Sequence, residues 1–170
     1  MELRKYDSGR DFDIIKQWID NERSHAMWCA NLFEYPLDED NVAEVLTYAA
    51  EKYGDVPYLA TDDGREVGFF CYHTDQTTKE GMLKFVIVNP EYRGKGIAKE
   101  MLKAVLEYAF GKAGAELVQL NVFPENIRAK KCYEKAGFIE RSMAKNAFTY
   151  KDESWGRCNM IIRKYEDTTV

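Results

Sequence analysis

The sequence predicts an α/β protein with a mixed sheet and helices on both of its faces. Phe85–Val88 is a continuous apolar run that Asn89-Pro90 ends, which is typical of a buried strand. A glycine-rich turn and a segment with apolar residues at helical spacing follow directly. Strand-like and helix-like segments alternate along much of the chain, which favours helices packed against a sheet.

The expected order of elements is β-α-α-β-β-β-α-β-α-β-β. Strands are expected where apolar residues are continuous or alternate, and helices where they recur every three or four positions. The strands should cover residues 1–6, 57–61, 66–74, 82–88, 116–123, a stretch from 138, and 156–165. The helices should cover residues 11–19, 38–53, 97–114 and 126–136, with an irregular segment at 21–35, an Asp-Gly hairpin turn at 62–64 and a loop or β excursion at 142–154.

The length and composition fit one domain over residues 1–165, followed by a frayed tail at 166–170. A chain of 170 residues can bury a substantial core. Its net charge of −5 argues against a nucleic-acid partner. No apolar run approaches the roughly 18 residues of a membrane span, and residues 1–10 lack the apolar segment of a signal peptide.

The cysteines and histidines give no indication of a metal site. The four cysteines, which are far apart and form no C-x-x-C pair, are Cys29, Cys71, Cys132 and Cys158. The chain has two histidines, too few to suggest a zinc site with these cysteines. We therefore expect no bound metal, reduced thiols and a cytoplasmic location.

The turn at Gly94-Lys95-Gly96 has the composition of a phosphate-binding loop. The first turn of a helix leaves N–H groups unpaired and its dipole favours an anion, while glycine lets the backbone approach a phosphate closely. A Walker A loop is excluded because the sequence has no G-x-x-x-x-G-K-[ST]. The dinucleotide fingerprint G-x-G-x-x-G fails at Lys99, so a nicotinamide-dinucleotide protein is the weaker alternative.

Two motifs at a consistent separation resemble the GNAT superfamily of N-acetyltransferases. Arg93, Gly96 and Ala98 fit its acetyl-CoA signature, [QR]-x-x-G-x-[GA]. The later block N-x-x-A-x-x-x-Y-E-K-x-G-F, from Asn126 to Phe138, is similar to its second motif, especially in the branch that acetylates protein N-termini and small amines. The resemblance covers nearly the whole chain and implies the GNAT fold, with acetyl-CoA as the acyl donor.

The resemblance also assigns the residues that would bind acetyl-CoA. In this family a bulged strand separates from its neighbour, here 117–122, and the pantetheine arm lies in the opening. The turn would bind the pyrophosphate, with Arg93 bracing it or adding charge, and Asn126 would bind the arm. Lys130 or Lys131 could reach the 3′-phosphate, or either could simply be solvated. The implied cofactor-binding residues are Phe85, Val86, Ile87, Val88, Arg93, Gly94, Lys95, Gly96, Ile97, Ala98, Lys99, Asn126, Ala129 and Lys130.

Tyr133 is the residue that the resemblance implies as the catalytic acid. Attack of an amine on a thioester expels a thiolate, and a tyrosine of pKa about 10 is protonated at neutral pH and can donate to it. The general base stays unassigned. In the N-terminal acetyltransferase branch a glutamate often lies five residues before the motif asparagine, but here that position is Asn121. Glu34, His73 and Glu80 are the remaining candidates.

The acceptor is the part that the motifs do not encode. By resemblance it would lie near the loop 21–37 and the last hairpin, so the predicted acceptor-binding residues are Trp28, Phe33, Glu34, Tyr35 and Asn121. The aromatic residues among them could equally belong to the core. Residues 34–63 are rich in carboxylates and 93–135 in cations, which indicates either two solvated helix faces or an acidic acceptor side and a basic cofactor side.

The sequence therefore predicts an acetyl-CoA-dependent N-acetyltransferase with a primary-amine acceptor. That acceptor would be a small cationic amine, polyamine or aminoglycoside-like molecule, or a protein N-terminus. The alternative is a non-catalytic acyl-CoA-binding sensor of the same fold, which the lack of a carboxylate at Asn121 keeps open. The sequence does not fix the oligomeric state, and a homodimer is one arrangement that it allows.

Overall fold

A computed structural model describes residues 1–165, so the predicted frayed tail at 166–170 lies outside the described residues. One seven-stranded sheet, in the order β1-β2-β3-β4-β5-β7-β6, organises this part of the chain. Its strands are β1 (Glu2–Lys5), β2 (Val56–Asp62), β3 (Arg65–Thr74), β4 (Glu80–Val88), β5 (Leu117–Val122), β6 (Ile139–Tyr150) and β7 (Glu153–Arg163). The helices are α1 (Ser8–Lys16), α2 (Glu22–Cys29), α3 (Glu39–Tyr53), α4 (Ile97–Gly111) and α5 (Ile127–Lys135), with a 3₁₀ turn at Pro90–Tyr92.

The sheet is mixed, as predicted, because β4 and β5 pair in parallel while the other neighbouring strands pair antiparallel. The predicted α/β class and the order of the main elements are confirmed. The Asp-Gly hairpin turn is also present, with positive φ angles of 47° at Asp63 and 73° at Gly64.

Two segments are more regular than the sequence suggested. The stretch expected to be irregular contains α2, whose start is fixed by a capping box in which the Asn21 side chain and Ser24 bond each other's backbone. The segment expected as a loop or β excursion is the end of β6 and the start of β7, which form a long twisted hairpin with register shifts.

Each face of the sheet has its own core. On one face α4 and α5 cover a cluster that includes Met101, Leu102 and Tyr133. On the other face α1, α2 and α3 cover a cluster that includes Phe33, Leu46 and Ile87. Gly68 lets α4 approach the first face closely, because a Cβ at this position would overlap the Met101 sulfur.

Candidate active site

The sheet opens between β4 and β5 beyond their first four residue pairs. Glu80–Leu83 pairs with Leu117–Leu120, and the two strands then separate. The rest of β4, from Lys84 to Val88, keeps antiparallel partners on β3 alone. An opening with exposed backbone groups on its walls can accept an extended chain that hydrogen-bonds as a strand does.

A β-bulge at Phe85 accompanies this separation. Phe85 has a φ of 52°, which is uncommon for a residue other than glycine. In the register with β3, Lys84 lies opposite Cys71 and Ile87 opposite Phe69, so β4 carries one extra residue. The indole N–H of Trp28, on α2, donates to the Phe85 carbonyl at 2.8 Å and ties that helix to the bulge.

The glycine turn forms a cradle of free N–H groups at the start of α4. Gly94 and Gly96 have φ angles of 78° and 84°, and Gly96 is the N-cap of α4. Among the described residues, the N–H groups of Gly96, Ile97 and Ala98 have no hydrogen-bond acceptor. A Cβ at either glycine would meet none of the described atoms within 4 Å, so the cradle is open on its outer side.

Arg93 braces this turn. Its Nε donates to the carbonyl of Val88 at 3.2 Å, and its terminal nitrogens bond the Asp20 carboxylate at 3.1 Å and the Trp18 carbonyl at 3.4 Å. All three guanidinium nitrogens therefore have partners within the chain. Of the two roles that the sequence suggested for Arg93, the bracing role agrees with these contacts.

The second motif forms α5 beside the opening. The Asn126 side-chain oxygen caps the helix by accepting from the N–H of Ala129 at 3.2 Å. Lys130 is bonded to the Glu140 carboxylate at 3.0 Å, and this contact raises the pKa of the lysine. Lys130 is therefore paired within the chain, and its contact with the 3′-phosphate stays a prediction.

Tyr133 lies on α5 and is 8% exposed, within the core under α4. Its ring packs edge-on against Phe138, with a centroid distance of 5.9 Å. Burial, with a smaller contribution from Cys132, raises the pKa of the Tyr133 hydroxyl well above its usual value. The hydroxyl is thus held in its protonated form throughout the neutral range.

The predicted acceptor-binding residues divide into core and surface. Phe33 is buried at 1% exposure and stacks on Trp28 at 5.2 Å, so the core interpretation fits Phe33. Glu34 and Tyr35 lie exposed on the loop after α2. Asn121, on β5, is exposed, and its side-chain oxygen accepts from the Asn159 amide at 3.1 Å.

A charged cluster next to the bulge is a feature that sequence reasoning missed. Lys84 donates to the carboxylate of Asp55 at 2.6 Å, and His73 Nδ1 bonds the other oxygen of that carboxylate. Asp55 is 2% exposed. The available signal was a lysine at position 84 within an otherwise apolar strand, but its partners follow only from the strand register.

The tip of the β6–β7 hairpin closes over α2 at the end of the opening. Arg23 forms a bidentate pair with Glu153 and lies 5.1 Å from the centre of the Trp155 ring. Lys151 pairs with Glu22 at 2.9 Å. Helix α2 and the hairpin tip therefore border the same end of the sheet opening.

A bulged parallel strand pair that opens beside a glycine-rich helix N-terminus is the arrangement of an acyltransferase that binds coenzyme A. The Acetyltransferase (GNAT) family matches residues 12–138, and the chain belongs to this family. It is an enzyme, an N-acetyltransferase with acetyl-CoA as the acetyl donor, which confirms the resemblance seen in the motifs.

Named relatives and solved structures agree with this assignment. The chain is 25% identical over 140 residues to the aminoglycoside N(6')-acetyltransferase type 1 of Klebsiella pneumoniae, covering 75% of this chain and 69% of that protein. It is 27% identical over 163 residues to the thialysine N-epsilon-acetyltransferase of Bos taurus, covering 89% and 90%. Spermidine N-acetyltransferase from Vibrio cholerae, solved with CoA and spermine, shares the fold with a TM-score of 0.78 at 22% identity, covering 95% of this chain and 94% of that one.

These findings favour an enzyme over the non-catalytic acyl-CoA sensor that the sequence left open.

Among residues 1–165, no cluster of His, Cys, Asp and Glu could hold a metal ion. Within the same residues, no helix is both long and apolar enough to cross a membrane.

Proposed function

We propose that this enzyme transfers the acetyl group directly to the primary amine of a small acceptor that enters from the sheet face opposite α4. The observation that carries the proposal is the separation of β4 from β5 beside the cradle of free N–H groups. The cradle lies at the N-terminus of α4, which covers one face of the sheet. In this proposal the acceptor enters from the opposite face, at the end of the opening that α2 and the tip of the β6–β7 hairpin border.

Binding of the donor depends on backbone groups in this proposal. The N–H groups of Gly96, Ile97 and Ala98 hold the pyrophosphate, since the helix dipole and unpaired donors favour an anion. The residues of β4 after the bulge, Phe85–Val88, hold the pantetheine arm, with Asn126 on the other side. Acetyl-CoA supplies a thioester whose acetyl group is activated toward amines.

Tyr133 acts as the acid for the departing sulfur. Burial raises its pKa, so the hydroxyl is protonated at neutral pH and can donate a hydrogen bond to the sulfur as negative charge develops there. A hydroxyl in a dry environment makes a stronger hydrogen bond to such a charge than it would in water.

The amine must lose a proton before it attacks. An amine with a pKa near 10 is about 0.1% neutral at pH 7, which costs about 4 kcal/mol. The three candidate bases have different surroundings: Glu34 is exposed on a loop, Glu80 is bonded to Gln119 at 2.7 Å, and His73 is bonded to Asp55. Glu80 and His73 are thus already bonded within the chain and Glu34 lies on a loop, so we assign proton removal to water at the opening.

A small amine is the acceptor class that the relatives support. Aminoglycosides, thialysine and spermidine appear in the names of the relatives, and all of these carry primary amines. The acidic stretch 34–63 supports this choice only weakly, because several of its carboxylates have structural contacts. Asp38 caps α3, Glu39 bonds Ser8, and Asp55 bonds Lys84.

The test is a screen of amine acceptors that measures thiol release and the mass of the acetylated product. We expect release of coenzyme A and a product heavier by one acetyl group with at least one small primary amine. Gly96→Glu is the control, because it places a carboxylate in the phosphate cradle and also strains the backbone there, where φ is 84°; a thermal melt shows that the fold is retained. Coenzyme A binding without turnover on any amine would contradict the proposal.

We further propose a cytoplasmic enzyme, in agreement with the free thiols of Cys29, Cys71, Cys132 and Cys158. A homodimer stays a proposal that sedimentation analysis can test; a monomer at micromolar concentration would contradict it.

A further inference from the structure

Lys84 and Phe85 are consecutive residues of β4 whose side chains lie on the same face of the sheet. Phe85 packs in the core that α1, α2 and α3 cover, and Lys84 lies opposite Cys71, which belongs to that core. The residues on either side, Leu83 and Val86, pack in the core beneath α4. Side chains alternate along a regular strand, so this arrangement is possible only because β4 has its bulge here.

Contacts with α2 and the loop after it hold Phe85 on this face. The Phe85 ring lies 4.8 Å from that of Phe33, and the Phe85 carbonyl accepts the indole N–H of Trp28 at 2.8 Å. A φ of 52° is a strained conformation for a residue with a side chain, and it persists only where the surroundings impose it. The α2 side is therefore one point at which the bulge is fastened.

An ion pair holds Lys84 on the same face. Its Nζ donates to Asp55 Oδ2 at 2.6 Å and lies 4.3 Å from the centre of the Tyr53 ring. The other oxygen of the Asp55 carboxylate is bonded to His73 Nδ1. The Asp55 side chain is 1% exposed and that of Lys84 is 26% exposed. Because both carboxylate oxygens are bonded, Asp55 is a fixed anchor that neutralises the lysine within the chain.

A regular β4 would break this ion pair. If the residues before the bulge moved by one position, to continue the register of the residues after it, Lys84 would lie opposite Tyr72, in the core beneath α4. The ammonium would then be buried and parted from Asp55, and a buried charge without a partner is strongly disfavoured. The ion pair therefore favours the bulged register over the regular one.

We infer that Lys84 is a positioning residue for acetyl transfer, because its pair with Asp55 fastens the bulge from the α3 side while Trp28 fastens it from α2. The last residue pair between β4 and β5 directly precedes Lys84, so the bulge lies where the two strands separate. The ion pair thus acts on the donor through the backbone that follows it. This inference rests on the proposed function, in which Phe85–Val88 holds the pantetheine arm.

The test compares Lys84→Leu with Lys84→Arg. Leucine has no charge and fits an apolar core, so β4 can become regular and pair further along β5, whereas arginine keeps the ion pair with Asp55. We expect the Kd for coenzyme A, measured by titration calorimetry, to rise about tenfold or more in Lys84→Leu and to change less than about threefold in Lys84→Arg. In thiol release with the best amine of the acceptor screen, kcat should fall about tenfold or more in Lys84→Leu alone.

The Trp28 indole reports on the bulge without any turnover. The chain has three tryptophans, and in a nitrogen-edited proton NMR spectrum Trp28→Phe identifies the indole signal that belongs to Trp28. This signal should move in Lys84→Leu, because its acceptor, the Phe85 carbonyl, changes orientation. It should keep its position in Lys84→Arg.

Arg4→Leu is the matched control for a general loss of stability. Arg4 is 27% exposed and pairs with Asp11, which is 0% exposed, so this variant also removes the cation from a buried carboxylate. It does so on β1, which pairs with β2 without a register shift. Thermal melts should show a lower Tm, while the Kd for coenzyme A and the Trp28 signal should stay unchanged.

Asp55→Asn is a second variant at the anchor itself. It removes the charge of the carboxylate and keeps its shape, so the Kd and the Trp28 signal should change in the same direction as in Lys84→Leu. It supplies the test if Lys84→Leu does not fold.

The outcomes separate the inference from the proposed function. An unchanged Trp28 signal and an unchanged Kd in Lys84→Leu would overturn the inference and leave the proposed function intact. Equal increases of the Kd in Lys84→Leu and Arg4→Leu would also overturn it, because a general loss of stability would explain both. A Trp28 signal that moves in Lys84→Leu without any change in the Kd would overturn the inference together with the proposed placement of the pantetheine arm.

Discussion

The hydrogen bond from Trp28 to the Phe85 carbonyl is the contact that most directly links α2 to the bulge, and Trp28→Phe removes it. The phenylalanine ring can keep the stacking on Phe33, so the main loss is the 2.8 Å bond. A part-buried carbonyl left without its donor costs about 2 kcal/mol. For a chain of this size that corresponds to a fall in Tm of about 4–8 °C.

The same substitution should slow catalysis more than it weakens donor binding. The bulge orients the backbone of Phe85–Val88, and a small misplacement of groups that position a reactant can lower the rate by up to about 100-fold. We expect kcat to fall by about 10- to 100-fold, with KM for acetyl-CoA changed less than threefold. Steady-state kinetics and differential scanning calorimetry measure the two effects.

Tyr58→Phe is the matched control for this prediction. It also removes one part-buried hydrogen bond, the 3.1 Å contact between the hydroxyls of Tyr58 and Tyr108, but away from the bulge. Its Tm should fall while its kcat stays constant. An unchanged kcat in Trp28→Phe, or an equal loss of kcat in both variants, would refute the link between the indole bond and catalysis.

Three other predictions follow from particular contacts. Tyr133→Phe should lower kcat by about 100-fold or more at constant acetyl-CoA affinity. Because the pKa of Tyr133 is raised, the fold-decrease in kcat should be the same from pH 6 to 9 in rate profiles. An unchanged kcat would show that Tyr133 is not the acid. Burial alone would raise the pKa of Asp11, but bonds from Arg4 and Arg10 outweigh it and hold that pKa well below its usual value. A carboxyl group whose pKa is lowered in the folded state stabilises the fold at pH values above its unfolded pKa of about 4. Asp11→Asn should therefore lower the free energy of unfolding by about 3 kcal/mol at pH 7, measured by urea unfolding, and this difference from the unmodified enzyme should shrink below pH 4. A difference that does not depend on pH would contradict this. Gly68→Ala should lower Tm by several degrees in thermal melts, because its Cβ would meet Met101, whereas Gly111→Ala on the open side of α4 should not.

Much of the fold was predictable because its signals are local. The apolar run of β4, the glycine turn and the periodicity of α4 each depend on a few consecutive residues. Helix α2 was missed because its capping box uses Asn21 and Ser24 in place of the common Ser/Thr and Glu pattern, and its aromatic residues obscure the periodicity. The long hairpin was only partly foreseen because exposed residues dominate β6.

The backbone features of the candidate site were predictable from the sequence, whereas its side-chain contacts between different elements were not. Backbone groups bind the donor in this account, and glycine and proline spacing reveals such backbone in a sequence. The contacts between elements depend on side chains that meet across strands and helices, such as Lys84 with Asp55, and the sequence does not encode that distance locally. The roles proposed for Tyr133, Asn126 and the cradle residues stay predictions.

The crystal structure of the enzyme with a non-reactive acetyl-CoA analogue tests the central claim most directly. The account predicts the pyrophosphate on the N–H groups of Gly96, Ile97 and Ala98, and the pantetheine arm between Phe85–Val88 and the end of β5. It also predicts the acetyl group at the bulge, on the side of the opening that α2 and the tip of the β6–β7 hairpin border. An analogue bound outside this opening, with β4 and β5 empty between them, would contradict the account.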